Sequence, residues 1–99
     1  MRVTFDPDAS DDLDRVFAWI AKDNPRAAYE MVGTIEAKVM RLAKPELTQM
    51  GHPGLVEGTR ELLEYPYIIV YKVYEGRDEI VVISITHSAQ HRNPTTRER

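Results

Sequence analysis

The chain has 99 residues, of which 42% are hydrophobic and 29% are charged, and its formal net charge is -3. These values are ordinary for one folded domain and exclude a disordered chain or two separate cores. The absence of cysteine excludes disulfide bonds, thiolate catalysis and cysteine-based zinc sites. Three histidines alone make a poor metal cage, so we expect neither a metal nor another cofactor.

Partners and location follow from the same composition. No apolar run approaches the roughly 20 residues that cross a bilayer, and the amino terminus lacks the apolar block of a signal peptide. We therefore expect a cytoplasmic protein without a membrane or small-molecule partner. The net negative charge argues against a simple nucleic-acid binder. The charges are uneven, however, because five aspartates crowd residues 6–14, whereas residues 87–99 hold three arginines and two histidines against one glutamate.

The first predicted elements are a short strand and a helix. Residues 2–5 alternate in polarity, as a strand with Val3 and Phe5 on one face does. Asp6-Pro7 predicts a helix start, with an acceptor side chain at the cap and proline at the first helical position. The aspartates of the first turns complement the positive end of the helix dipole, and a carboxylate metal site is the alternative. Apolar residues recur at helical spacing at Leu13, Val16, Phe17 and Ile20.

A second helix follows after a short turn. Asp23-Asn24-Pro25 ends the first helix and caps the second, which folds back antiparallel and runs to about Ala43. Trp19 lies off the apolar stripe of the first helix, so it borders the core or meets a partner. The core edge is the expectation, because tryptophan is usually mostly buried.

The second half of the chain reads as a sheet. Residues 45–59 hold five proline and glycine residues and predict an irregular crossing from the helices. Residues 60–65 then form a short strand, residues 67–74 a central strand rich in β-branched and aromatic side chains, and residues 79–86 a third strand. The hairpin loop before the third strand contains Gly76, a residue type that such turns need.

This order predicts one α+β domain over residues 1–99: an amino-terminal strand, an antiparallel helical hairpin and a three-stranded antiparallel meander. The helices pack on one face of an antiparallel sheet. The central strand is apolar on both faces, so the crossing segment or a partner chain must partly cover the second face. We expect the fold to bring the guanidinium of Arg60, the phenol of Tyr71 and the imidazole of His87 to one shared concavity.

Several short motifs occur in the order typical of a known superfamily. They are an aromatic-rich first helix, Asn-Pro-Arg-Ala-Ala at 24–28, Gly-Thr-Arg-Glu-Leu at 58–62, Tyr-Ile-Ile-Val-Tyr at 67–71 and His-Ser-Ala-Gln at 87–90. Together they span nearly the whole chain and resemble the RelE/ParE superfamily of toxins from bacterial type II toxin-antitoxin modules. The resemblance implies a small toxin in a hetero-oligomer with an antitoxin, whose carboxyl-terminal segment wraps around it.

The superfamily has two mechanistic branches, of which the ParE-like one is favoured. The motifs at 58–62 and 87–90 look more like this branch, and an acidic total suits a protein that binds protein. ParE-like members act on DNA gyrase by binding rather than by enzymatic catalysis. The candidate residues for binding of target or antitoxin are Trp19, Arg60, Tyr67, Gln90, His91 and Arg92.

The alternative is the RelE-like branch, whose members cut messenger RNA at the ribosome without metal. That chemistry needs cations around the phosphate and a group that moves a proton. The catalytic candidates would be Arg60, Tyr71, His87 and Arg92. Against this branch, residues 62–64 replace the basic pair that RelE-like toxins carry there, and Ile68 stands where many nucleases keep an arginine. A third alternative is an interaction module that keeps the fold without toxicity.

Three candidates also have purely structural interpretations. Arg60 could serve only to form a surface ion pair with Glu57, Glu61 or Glu64. His87 follows the third strand and falls on the same face as Val81, Ile83 and Ile85. It could therefore be a strand-end histidine bonded to the backbone. Tyr71 lies on the central strand, where an aromatic ring commonly fills a core.

Overall fold

The computed structural model describes residues 1–90, in which five strands form one mixed sheet. The strands are β1 (Arg2–Phe5), β2 (His52–Pro53), β3 (Arg60–Glu64), β4 (Tyr67–Tyr74) and β5 (Glu79–His87), and their order across the sheet is β1-β5-β4-β3-β2. The predicted α+β class and the antiparallel meander are confirmed.

Two details of the predicted sheet are wrong. β1 pairs with β5 in parallel rather than antiparallel, with Arg2 opposite Glu79. Its direction follows from long-range packing, because its partner lies at the other end of the chain. The crossing segment also contributes a fifth strand, the two-residue β2, which pairs with Arg60 and Glu61 of β3.

The helices are α1 (Pro7–Ala21) and α2 (Pro25–Met40). Asn24 caps α2 as predicted, its side chain accepting a hydrogen bond from the amide of Ala27 at 3.1 Å. The predicted start of α1 at Asp6-Pro7 is confirmed, but the predicted capping hydrogen bond of the Asp6 side chain is not formed. The backbone N–H of Asp6 instead donates to the Val82 carbonyl at 2.9 Å, which ties the start of α1 to β5. After Met40, a 3₁₀ turn replaces the last predicted helical turn.

The core lies between the helical hairpin and one face of the sheet. The helices contribute Ala9, Val16, Ile35 and Val39, and the sheet contributes Leu62, Tyr67, Ile69, Tyr71, Ile80, Val82 and Ile85. Alternate residues of β4 face the helices, as the period of two in a strand requires. Among residues 1–90, Tyr71 is the largest side chain that is fully buried.

The crossing segment, residues 45–59, runs from the helices to β3 and covers part of the second face of the sheet. On that face Glu61, Val70 and Ser84 form one row across three strands, and all three are buried. The amide of Leu55 donates to the Glu61 carboxylate at 3.1 Å, so the expected cover is confirmed at this position. In the β4–β5 loop the left-handed residue is Asp78, with φ 51°, rather than Gly76.

Two glycines provide a matched test of this packing. A Cβ at Gly51 would lie 2.3 Å from the Glu61 carbonyl oxygen, whereas a Cβ at Gly33, within α2, would meet nothing within 4 Å. Gly51→Ala is expected to destabilise the fold by ~2 kcal/mol or more, because backbone atoms must move. Gly33→Ala should stabilise it by about 1 kcal/mol through helix propensity.

Thermal unfolding of both variants measures the difference. For a domain of this size, 1 kcal/mol moves Tm by roughly 4–8 °C, so the two changes should shift Tm in opposite directions. A Gly51→Ala variant as stable as the wild type would contradict the close contact between the crossing segment and β3.

Candidate functional site

A groove of about 530 Å³ lies between α1 and the end of β5. Its apolar lining consists of Val16, Trp19, Tyr67, Ile85 and Ala89, and its polar lining of Asp12, Arg15, Thr86, His87 and Gln90. We call it the Trp19 groove. It combines an apolar interior with a few polar groups at the edge, which is the usual character of a binding site.

Trp19 forms an exposed wall of this groove. Its side chain is 68% exposed, so the expectation that it borders the core is wrong. Helical spacing places it on the same flank of α1 as Asp12 and Arg15, beside the stripe that packs on the sheet. The ammonium of Lys22 lies 4.8 Å from the Trp19 ring centroid in a cation–π contact. The wall therefore offers a large apolar surface next to positive charge.

The floor of the groove contains a pair of rings from neighbouring strands. Tyr67 and His87 are opposite each other in register, and their ring centroids lie 5.6 Å apart in an edge-to-face arrangement. The His87 Nδ1 accepts a hydrogen bond from the amide of Ala89 at 3.1 Å, which confirms its predicted backbone contact. The neutral ring therefore carries its proton on Nε2. Burial raises the pKa of Tyr67, so its phenol ionises less readily than that of an exposed tyrosine.

The carboxylate of Asp12 is committed to structure. One oxygen accepts from the Arg15 guanidinium at 2.9 Å, and the other accepts from the Ile85 amide at 3.0 Å, joining α1 to β5. This acid is thus a tether between two elements. Within residues 1–90, no group of three or more His, Asp or Glu side chains is placed to hold a metal ion. Because Arg15 is paired with Asp12, the positive charge at the rim of the groove comes from Lys22.

Arg60 and Tyr71 lie elsewhere, where they hold the crossing segment. They are opposite each other on β3 and β4. The Tyr71 phenol donates to the Thr48 carbonyl at 3.0 Å and accepts from the Gly51 amide at 3.1 Å. The Arg60 guanidinium donates to the carbonyls of Gln49, at 3.1 Å, and Gly51. We call these contacts the Tyr71 bracket.

The predicted site residues therefore fall into two groups. Trp19, Tyr67, His87 and Gln90 line one groove, whereas Arg60 and Tyr71 belong to the bracket. The expectation of a single concavity is wrong: Tyr71 is four residues along β4 from Tyr67, about 13 Å at the rise of a strand, and its phenol is bonded to the crossing segment. His91 and Arg92 lie outside the described residues.

Arg15 was not predicted as a site residue. Its signal in the sequence was its spacing of four residues from Trp19, which places both side chains on one flank of a helix.

Comparison with known proteins identifies the family. A family model described as the ParE toxin of the type II toxin-antitoxin system, parDE, matches residues 3–92. The candidate toxin Y4kP of Sinorhizobium fredii is 39% identical over 80 residues, covering 79% of this chain and 78% of that protein. A solved structure of the chromosomal ParDE system from P. aeruginosa matches with a TM-score of 0.75 and 27% identity, over 88% of this chain and 95% of that one.

More distant structures share the fold. The RelBE2 complex of Mycobacterium tuberculosis matches with a TM-score of 0.60 and 20% identity, over 87% of this chain and 95% of that one. The intact E. coli RelBE complex matches with a TM-score of 0.61 and 14% identity, over 87% and 94%. The fold and the family model define a toxin of the RelE/ParE superfamily. Within it, the chain belongs to the ParE toxin family of type II toxin-antitoxin systems.

Tyr71→Phe tests the structural role of the bracket. The change leaves the Thr48 carbonyl and the Gly51 amide without their buried partner, which costs about 1–3 kcal/mol. The measurement is the free energy of unfolding from urea denaturation. Tyr65→Phe is the matched control, because Tyr65 is 76% exposed and its change should stay within about 0.5 kcal/mol. Equal effects of the two substitutions would contradict the bracket.

Proposed function

We propose that this toxin inhibits DNA gyrase by binding and that an antitoxin neutralises it by occupying the Trp19 groove. The observation that favours binding over RNA cleavage is the burial and hydrogen bonding of Tyr71. Its phenol is fully buried and bonded to backbone groups, so it is out of reach of a ribose hydroxyl. The match of the ParE family model over residues 3–92 supports the same choice.

Arg60, the other candidate of the bracket, also serves structure. Its guanidinium makes two hydrogen bonds to backbone carbonyls of the crossing segment. A phosphate clamp needs these donors free for oxygen atoms of the substrate.

Both gyrase and ribosomes are cytoplasmic in bacteria, so either target implies a cytoplasmic protein.

The chemistry of the Trp19 groove indicates the kind of segment that it accepts. The apolar interior formed by Val16, Trp19 and Ile85 suits a bulky aliphatic or aromatic side chain. Lys22 contributes positive charge at the rim, whereas the charges of Arg15 and Asp12 offset each other in an ion pair. An acidic, amphipathic antitoxin segment is the complement of that surface. The P. aeruginosa ParDE structure supports a toxin-antitoxin complex as the assembly.

Trp19→Ala tests the groove as the antitoxin site. Removal of a central aromatic anchor should weaken binding of the antitoxin encoded beside the toxin gene by about 30-fold or more, measured by isothermal titration calorimetry. Tyr29→Ala is the control, since Tyr29 is another exposed aromatic residue of the helical hairpin outside the groove. The wild type adds a second readout, because Trp19 is the only tryptophan and its fluorescence should shift to the blue on binding. Unchanged affinity and fluorescence would exclude the groove.

A paired assay tests the target. Purified toxin is added to DNA gyrase in a supercoiling reaction and, separately, to a reconstituted translation system. The expected result is loss of supercoiling with accumulation of cleaved DNA, while transcripts in the translation system stay intact.

Two other results would contradict the proposal. Arrested translation with cut transcripts would support the RelE-like nuclease. The observation that favours this alternative is that His87 and Arg15 line the same groove. In that case His87→Ala should abolish cleavage, whereas a loss of activity in Arg60→Ala would also follow from loss of the Tyr71 bracket. Activity in neither assay, with normal growth of cells that express the toxin alone, supports an interaction module without toxicity.

A further inference from the structure

The crossing segment exposes two adjacent aliphatic side chains. Residues 54–58 read Gly-Leu-Val-Glu-Gly, and within them Leu55 is 46% exposed and Val56 is 57% exposed. We call this stretch the Leu55–Val56 tip. A single exposed aliphatic residue is ordinary on a protein surface. Two in sequence on a loop are less so, because loops at the surface are usually polar.

The tip is held by a dense set of hydrogen bonds. The amide of Leu55 donates to the carboxylate of Glu61, and the amide of Gly54 donates to the Thr59 carbonyl at 2.9 Å. The Val56 carbonyl accepts from both the amide and the hydroxyl of Thr59. Glu61 is itself buried, and a buried carboxylate is costly unless hydrogen bonds satisfy it. The buried carboxylate of Glu61 thus fixes the position of an exposed apolar loop.

The glycines that bound the tip restrict it further. A Cβ at Gly54 would lie 2.2 Å from the Thr59 hydroxyl, so a larger residue would force Thr59 to move. Gly58 has φ 87°, in the left-handed region that favours glycine. The tip therefore has a defined conformation before any partner binds, and preorganisation of this kind reduces the entropy cost of association.

The tip and the Trp19 groove lie on different sides of the sheet. Glu61, which holds the tip, alternates along β3 with Leu62 of the core, so its side chain faces away from the helices. The groove is formed by α1 and by residues at the end of β5. The two surfaces also differ in charge, because the exposed Glu57 lies in the tip whereas Lys22 borders the groove.

We propose that the Leu55–Val56 tip is the contact that inserts into the target enzyme of this toxin. The inference rests on the proposed function and names the surface that performs it. The chemistry it requires of the partner is an apolar pocket that accepts two aliphatic side chains and has a basic rim to receive Glu57. An enzyme that acts on DNA presents basic surfaces of that kind. The acidic antitoxin segment inferred for the groove is a poor fit to the same tip.

The test uses a double variant, Leu55→Asp with Val56→Asp, in the full-length toxin. Two charges at the tip should abolish insertion, so inhibition of gyrase supercoiling should weaken by about 100-fold or more, as loss of a buried hot spot does. Affinity for the antitoxin should stay within about threefold of the wild type, because the groove is unchanged. Met40→Asp is the matched control: Met40 is 55% exposed at the end of α2, and this variant should inhibit gyrase like the wild type.

A milder pair guards against loss of folding. Leu55→Ala with Val56→Ala removes the apolar contacts without adding charge, and its inhibition should weaken by at least tenfold. Inhibition by either double variant equal to that of the wild type would overturn the tip as the contact while leaving gyrase inhibition intact. A wild-type toxin that leaves gyrase active would overturn the proposed function, and the role of the tip with it.

Discussion

The phenol of Tyr71 is the contact on which the rest of this structure depends. It joins the central strand to the crossing segment at two backbone groups, the Thr48 carbonyl and the Gly51 amide. Arg60 contributes to the same contacts from the neighbouring strand, and together they form the junction that we have called the Tyr71 bracket. A long segment with little regular structure would otherwise be mobile, because few ladder hydrogen bonds hold it. With the junction in place, β2 can pair with β3 and the sheet gains its cover on the second face.

The junction also determines which polar groups remain for function. Arg60 and Tyr71, which were candidates for a metal-free nuclease, are bonded to the backbone. The groups that remain for function therefore lie on two surfaces. One is the Trp19 groove, with an apolar interior and a basic rim. The other is the Leu55–Val56 tip, which the junction and Glu61 hold in place. These two surfaces suit the proposed recognition of proteins, with the groove proposed for the antitoxin and the tip proposed for the target.

The sequence predicted the elements better than the contacts between them. Helical periodicity around Val16 and alternation along β4 are local signals, and so is the cap at Asn24. The parallel direction of β1 is not local, since β5 lies at the far end of the chain. The role of Tyr71 was also hidden, because its partners are backbone groups 20 and 23 positions earlier, and backbone groups leave no residue-type signal. For Trp19, the sequence showed only that the residue lies off the apolar stripe, and it did not predict the exposure of the side chain.

Amide hydrogen exchange of the folded protein tests the junction most directly. In the wild type the amide of Gly51 should exchange slowly, because the buried Tyr71 oxygen accepts it. In the Tyr71→Phe variant it should exchange at least tenfold faster, at about 1.4 kcal/mol per tenfold change, whereas the amide of Ile35 in α2 should change only as the global stability does. A Gly51 amide that exchanges equally fast with and without the Tyr71 hydroxyl would contradict the account.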